Sequence, residues 1–199
     1  MPWASNSSSR DSSRSSSSSQ SSDGYALSVN IHGDGRNPAS PAHWEAMIHK
    51  RGAKEGEHFR VRKNEDFYYD PPKNSRPIDA TYGRTEISHF SGSRKKDAER
   101  ILNDYGRNHA NLPRGSANSQ NWTVGALGAL ERERLAPEGT KRYWGDNVGR
   151  QSADVADRLR RDGTSWISNS VAQGQHREAS RPVGRLDINA LSGRSGRSR

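Results

Sequence analysis

The chain has 199 residues, of which 29% are hydrophobic, and it contains no cysteine. Ordinary globular domains contain roughly 45–50% apolar residues, so this composition excludes a chain that folds over its whole length. The missing cysteine excludes disulfides, thiol chemistry and thiolate-bound metals. Residues 25–150 carry 21 basic and 16 acidic side chains, and residues 151–199 carry nine and five. Because the positive charge is not concentrated on one element, nucleic-acid binding is disfavoured as the main function.

Two polar segments flank the one stretch with enough apolar residues to form a core. Residues 1–24 are mostly serine, and residues 151–199 are rich in Ser, Gly, Arg and Gln, so both are predicted to be mostly disordered tails. A short helix over 152–161 is the exception, and its apolar side is expected to pack on the domain. No stretch has the roughly 18–20 consecutive apolar residues that span a bilayer, and the N-terminus lacks the apolar region of a secretory signal. We therefore expect one domain at 25–150 in an intracellular protein, cytoplasmic or nuclear.

The first half of the expected domain alternates apolar and polar residues, as half-buried strands do. Three segments show this period clearly, at 25–32, 43–50 and 57–63. The FYYD sequence at 67–70 can continue the sheet before two prolines end it, and 84–90 is predicted to be an edge strand. A small antiparallel sheet follows from this order.

The second half changes to the helical period. Residues 93–105 place apolar side chains three and four apart, and residues 119–135 form the most apolar helical segment. Gly125 and Gly128 lower the intrinsic helicity of this second helix by up to about 1 kcal/mol each, so small residues there indicate close approach to the sheet. The predicted fold class is α+β, with a small antiparallel sheet packed on a central helix.

Chemically useful side chains fall in two places. His43, His58 and Arg60 lie on the polar side of the second and third predicted strands. Ser119 lies at the start of the central helix, where free backbone N–H groups and positive potential lower the pKa of a nucleophile or stabilise an oxyanion. Both places are candidate sites.

The order of these motifs resembles a known group of proteins. A His-Trp pair on a strand (His43 and Trp44), an extended segment ending in Tyr-Asp-Pro (69–71) and an amphipathic helix precede Asn-Ser-Gln-Asn-Trp (118–122). This order is similar to that of a group of uncharacterised, mostly fungal proteins with Asn-Cys-Gln-x-Trp at the start of an apolar helix. Those proteins in turn resemble circularly permuted papain-like domains, among them the lecithin retinol acyltransferase and NlpC-type hydrolase superfamily. The resemblance covers roughly residues 27–144.

This resemblance implies a set of roles. In the superfamily a strand histidine acts as base, a cysteine at a helix N-terminus attacks an amide or ester, and a third polar residue orients the histidine. Here His43 takes the base position and Ser119 takes the nucleophile position. His58 or Arg60 takes the orienting position. Asn121 stands where the pattern favours Asp.

Serine in the nucleophile position implies lost catalysis, because a hydroxyl is far less acidic than a thiol, whose pKa is about 8.5. The chain is therefore expected to be a degenerate or inactivated relative of cysteine hydrolases and acyltransferases. It would keep the cleft at His43 and Ser119 for binding a protein or a small acyl or amide substrate. Three explanations remain open: natural loss of the nucleophile, a Cys-to-Ser change made in the laboratory, and a working Ser-His pair.

Plainer interpretations of the same residues also remain open. Asn118 and Ser119 are both good helix N-caps, and the polar strand face is equally typical of a solvated surface. The alternative function is a non-enzymatic basic module that binds nucleic acid or an acidic protein, with the C-terminal tail adding weak, salt-sensitive polyanion affinity. The histidine spacing gives no metal-ligand motif and the glycines give no nucleotide-phosphate motif, so no metal or cofactor is expected.

Overall fold

The described part of the chain contains seven strands and four α-helices. The computed structural model describes residues 24–53, 55–72, 76–77 and 81–169. The strands are β1 (Tyr25–His32), β2 (His43–Lys50), β3 (Glu55–Lys63), β4 (Phe67–Asp70), β5 (Arg76–Pro77), β6 (Gly83–Phe90) and β7 (Ile167–Ser168). The helices are α1 (Gly92–Arg107), a short 3₁₀ helix (His109–Asn111), α2 (Ser119–Arg132), α3 (Thr140–Gly145) and α4 (Ser152–Arg161). The predicted α+β class is confirmed.

The strands form one antiparallel sheet in the order β4-β3-β2-β1-β6-β7, and β5 pairs with the start of β3. β1 pairs along its full length with β2, so that Leu27 lies opposite Ile48. The predicted antiparallel sheet and its first three strands are confirmed. The prediction of an edge strand at 84–90 is wrong at the start of that segment, because β7 pairs there with Gly83 and Arg84.

The hydrophobic core lies between one face of the sheet and the helices. Trp44 and Phe59 from the sheet pack in one cluster with Trp122 and Leu127 from α2, and each is at most 1% exposed. Alternation along each strand directs its apolar side chains to this common face. Burying a large apolar side chain stabilises the fold by about 1.5–3 kcal/mol, so packing compensates for the weak intrinsic helicity of α2.

The two glycines of α2 allow close approach of other helices rather than of the sheet. A Cβ atom added at Gly125 would clash with the Tyr105 hydroxyl of α1, and one added at Gly128 would lie 2.6 Å from Lys141 Cδ of α3. The expectation of close approach to the sheet is therefore wrong at these positions, because neighbouring helices fill that space.

The chain continues to pack on the domain beyond residue 150. α4 buries three apolar side chains, Val155, Ala156 and Leu159. The Ser152 hydroxyl donates to the Gly33 carbonyl at 2.8 Å, and Trp166 packs against the core. The helix expected at 152–161 is present, but it belongs to the domain because its apolar stripe is buried there, and the domain reaches at least the β7 strand. The tail predictions for residues 1–23 and 170–199 lie outside the described residues.

Candidate functional site

β2 is buried on both faces, which places polar residues inside the protein. Trp44, Ala46 and Ile48 belong to the core shared with the helices, whereas Glu45 lies on the opposite face and is 0% exposed. His58, from β3, lies on the same face as Glu45 and is 6% exposed. The interpretation of this face as a solvated surface is therefore wrong at Glu45 and His58.

The Glu45 carboxylate is the centre of a buried polar cluster. Its Oε1 atom accepts hydrogen bonds from His32 Nε2 at 2.7 Å, His58 Nδ1 at 2.5 Å and Asn30 Nδ2 at 3.2 Å, and Oε2 accepts one from Arg60 Nη1 at 3.4 Å. Burial by itself would raise the pKa of Glu45, but hydrogen bonds and positive charge from His32 and His58 hold that pKa well below its ordinary value. The cluster therefore contains an ionised carboxylate at neutral pH.

Strand register brings these side chains together. Asn30 of β1 lies directly opposite Glu45 of β2. His58 of β3 lies opposite Met47, which is two positions from Glu45 on the same face. Because side chains at alternate positions of neighbouring strands contact each other, polar residues at these positions form one cluster.

Three polar atoms of this cluster are buried without a hydrogen-bond partner: Asn30 Oδ1, His58 Nε2 and Arg60 Nη2. Leaving a buried polar atom unpaired costs about 1–3 kcal/mol, and such atoms are few in folded proteins. Together they present an acceptor, an imidazole nitrogen and a cationic donor beside one carboxylate. Groups of this kind indicate a place for a polar guest, such as a water molecule or part of a ligand.

His43 begins β2 and lies at the edge of the cluster. Its ring centroid lies 5.7 Å from that of His32. Burial lowers the pKa of His43 to about 4; Glu45 opposes this shift, and the positive charges of His32, Arg60 and Arg62 add to it. The His43 imidazole is therefore neutral at pH 7, able to donate or accept a hydrogen bond but weak as a base.

Ser119 is the first residue of α2 and is 6% exposed. The N-cap is Asn118, whose side chain accepts from the Gln120 N–H at 2.8 Å, while the Asn121 side chain accepts from the Asn118 N–H at 2.9 Å. The interpretation of Ser119 as the cap is therefore wrong. Instead, the Ser119 hydroxyl accepts a hydrogen bond from the backbone N–H of Trp44 at 3.3 Å.

Two further side chains fix the N-terminal half of α2 on β2. Gln120 Nε2 donates to the Ala42 carbonyl at 2.8 Å, and Thr123 Oγ1 donates to the Trp44 carbonyl at 3.1 Å. Both carbonyls flank His43 in the chain. The start of α2 therefore holds the backbone on either side of His43.

The structure brings the predicted site residues to one end of β2 but does not join them in a single hydrogen-bonded set. His58 and Arg60 hydrogen-bond to Glu45 on the polar face. Ser119 meets the backbone of Trp44 from the helix side. Among the described residues, no hydrogen bond joins the Ser119 hydroxyl to the His43 imidazole. The two residues are connected instead through the backbone of Trp44, which follows His43 in the chain.

A cleft of about 490 Å³ opens over the polar cluster. Its walls come from the ends of β1 and β2, with His32 and His43, and from the β3–β4 hairpin, with Arg60, Arg62 and Lys63. The lining therefore combines imidazole rings with cationic side chains.

Asn30, His32 and Glu45 are site residues that the sequence analysis misses. The signal that could identify them is the alternation itself, because most of the alternate positions on this face of β1, β2 and β3 hold polar residues. The alternation alone does not distinguish a solvated face from a buried polar cluster, and the structure shows the second.

Comparison of the chain with protein-family models, curated proteins and solved structures finds no match. Across the described ranges, no helix combines the length and apolar character needed to cross a lipid bilayer. Within those same ranges, the His, Asp and Glu side chains form no group that could hold a metal ion. Function must therefore be inferred from the geometry of the site.

Proposed function

We propose that this protein is a catalytically inactive relative of papain-like cysteine hydrolases and acyltransferases, in which Ser119 occupies the nucleophile position and the region around His43 binds a ligand. One observation carries the proposal. The N-terminus of α2 lies against the residue that follows His43, with Ser119 Oγ 3.3 Å from the backbone nitrogen of Trp44. A helix N-terminus beside a strand histidine is the arrangement that the resemblance implies for nucleophile and base.

The Ser119 hydroxyl and the His43 imidazole are both in states that favour binding over catalysis. The Ser119 hydroxyl is buried and accepts a backbone hydrogen bond, and a hydroxyl is far harder to deprotonate than a thiol. The pKa of His43 is lowered to about 4, so the imidazole removes a proton weakly at neutral pH. Neither partner is therefore activated.

The cleft supports a ligand of modest size. Small-molecule sites commonly have volumes of roughly 300–1,000 Å³, and the cleft beside His43 has about 490 Å³. The resemblance implies an acyl or amide compound, or a protein segment carrying such a group. We therefore propose binding of that class without turnover.

Ser119→Cys tests the assignment by placing a thiol in the proposed nucleophile position. We expect iodoacetamide to modify it with a pH profile displaced below the ordinary thiol pKa of about 8.5, because the helix N-terminus stabilises a thiolate and, in the proposed arrangement, the His43 imidazole does so as well. Adding His43→Ala should move the profile back toward that value. The measurement is the alkylation rate against pH, followed by intact mass.

Ser93→Cys is the matched control, because Ser93 lies in the first turn of α1 and is exposed. The pH profile of its alkylation should be the same with and without His43→Ala. If His43→Ala leaves the profile of Ser119→Cys unchanged, or if that thiol reacts only after unfolding, Ser119 does not occupy a nucleophile position and the proposal fails.

A further inference from the structure

The β3–β4 hairpin contributes cationic side chains to the cleft, and these side chains have no role in the function proposed for Ser119 and His43. We propose that this cleft binds an oxyanion, the carboxylate or phosphate group of a small ligand, through Arg60, Arg62 and Lys63. The site depends on these three side chains and is independent of the role assigned to Ser119.

Arg60 lines the cleft, and one nitrogen of its guanidinium group has no hydrogen-bond partner among the described residues. Its Nε donates to Asp70 Oδ2 at 3.1 Å and its Nη1 donates to Glu45 Oε2 at 3.4 Å, whereas Nη2 is buried without a partner. The two carboxylates fix the plane of the guanidinium group. Because that plane matches the oxygen geometry of carboxylates and phosphates, Nη2 is a preorganised donor for an anion.

Two more cations stand at the rim of the cleft. Arg62 Nε lies 2.8 Å from Asp70 Oδ2, and the Arg62 side chain is 48% exposed. Lys63 Nζ lies 5.6 Å from the centroid of the Phe67 ring, and no carboxylate of the described residues lies within ion-pair distance of it. Cations grouped around a concave surface raise the local concentration of anions. Arg62 and Lys63 can therefore draw an oxyanion toward Arg60.

The charges of the cleft also favour an anionic guest. Arg60 contacts the carboxylates of Glu45 and Asp70, Arg62 contacts that of Asp70, and Lys63 contacts neither. His43 adds no positive charge at pH 7, because burial lowers its pKa to about 4, but its neutral ring can still hydrogen-bond. Arg60, Arg62 and Lys63 together with Glu45 and Asp70 therefore carry one net positive charge, which a bound oxyanion balances.

The test is a titration of the full-length protein with inorganic phosphate, with acetate and with chloride at constant ionic strength, following the ring resonances of His32 and His43 by NMR. We expect saturable shifts with phosphate or acetate and none with chloride. Phosphate binding more tightly than acetate identifies a phosphate site, and the reverse identifies a carboxylate site.

Arg62→Gln/Lys63→Gln should weaken the binding at least tenfold, and Lys63→Glu, which lowers the charge of the cleft by the same two units, should weaken it to a similar extent. The matched control is Lys96→Gln/Arg100→Gln, which removes the same charge from the exposed surface of α1 and should leave the affinity within twofold. Linear responses to all three salts, or equal losses in the two double variants, would overturn the proposal. Either result leaves the alkylation profile of Ser119→Cys unaffected, so the two proposals fail separately.

Discussion

Glu45 accepts hydrogen bonds from Asn30, His32, His58 and Arg60 while it is 0% exposed. Transfer of a carboxylate from water into the protein costs several kcal/mol, and the cost is recovered only where good geometry and further hydrogen bonds satisfy the oxygens. Both carboxylate oxygens of Glu45 are satisfied in this way. The same contacts hold His32 and Arg60, two of the side chains that line the cleft.

Glu45→Gln should reduce the free energy of unfolding by about 3–5 kcal/mol at pH 7, because it removes the anion that pairs with Arg60 and accepts from the surrounding buried donors. The pKa of Glu45 is held well below 4.5 in the folded protein. Its stabilisation is therefore complete above the unfolded pKa and is lost only as pH falls through the lower folded pKa. Urea unfolding from pH 7 to pH 3 measures the difference, which should shrink toward acid pH.

Glu138→Gln is the control for that experiment, because Glu138 is exposed and its loss should change stability by less than about 0.5 kcal/mol. If Glu45→Gln were as stable as Glu138→Gln at pH 7, the polar cluster would not depend on an ionised carboxylate.

At the scale of elements, α2 and α4 show how much of the structure local sequence can predict. The start of α2 at Ser119 is predicted correctly, since a capping residue precedes a long apolar run. α4 and the packing of its apolar stripe on the domain are also predicted, but the hydrogen bond of Ser152 to Gly33 is not, because it joins residues distant in sequence. α3 and β7 are missed because a six-residue helix and a two-residue strand carry too little periodic signal.

Leu159→Ala tests whether α4 is part of the domain. Leu159 is 2% exposed within the core cluster, so its truncation should cost about 2–5 kcal/mol. Thermal or urea unfolding measures the loss, with Arg161→Ala at an exposed position of the same helix as the control. Equal stability of the two variants would mean that α4 does not contribute to folding.

At the scale of the whole molecule, one sheet separates an apolar core from a polar cluster. Strand alternation predicts that His43, His58 and Arg60 share a face, and the structure places all three around the polar cluster. It does not predict that the face is buried or that Glu45 is its centre, because these depend on register between strands that are distant in sequence. The position of α2 beside the backbone that flanks His43 likewise arises from tertiary packing, which local periodicity does not determine.

The titration of His43 tests the proposed pairing with position 119 most directly. Its ring resonances, assigned with a His43→Gln variant, should titrate near pH 4 in the wild-type protein. In Ser119→Cys we predict a clear rise in the pKa of His43, because a thiolate in that position stabilises the imidazolium. The same pKa in both proteins would contradict the assignment of Ser119 and His43 as the former nucleophile and base.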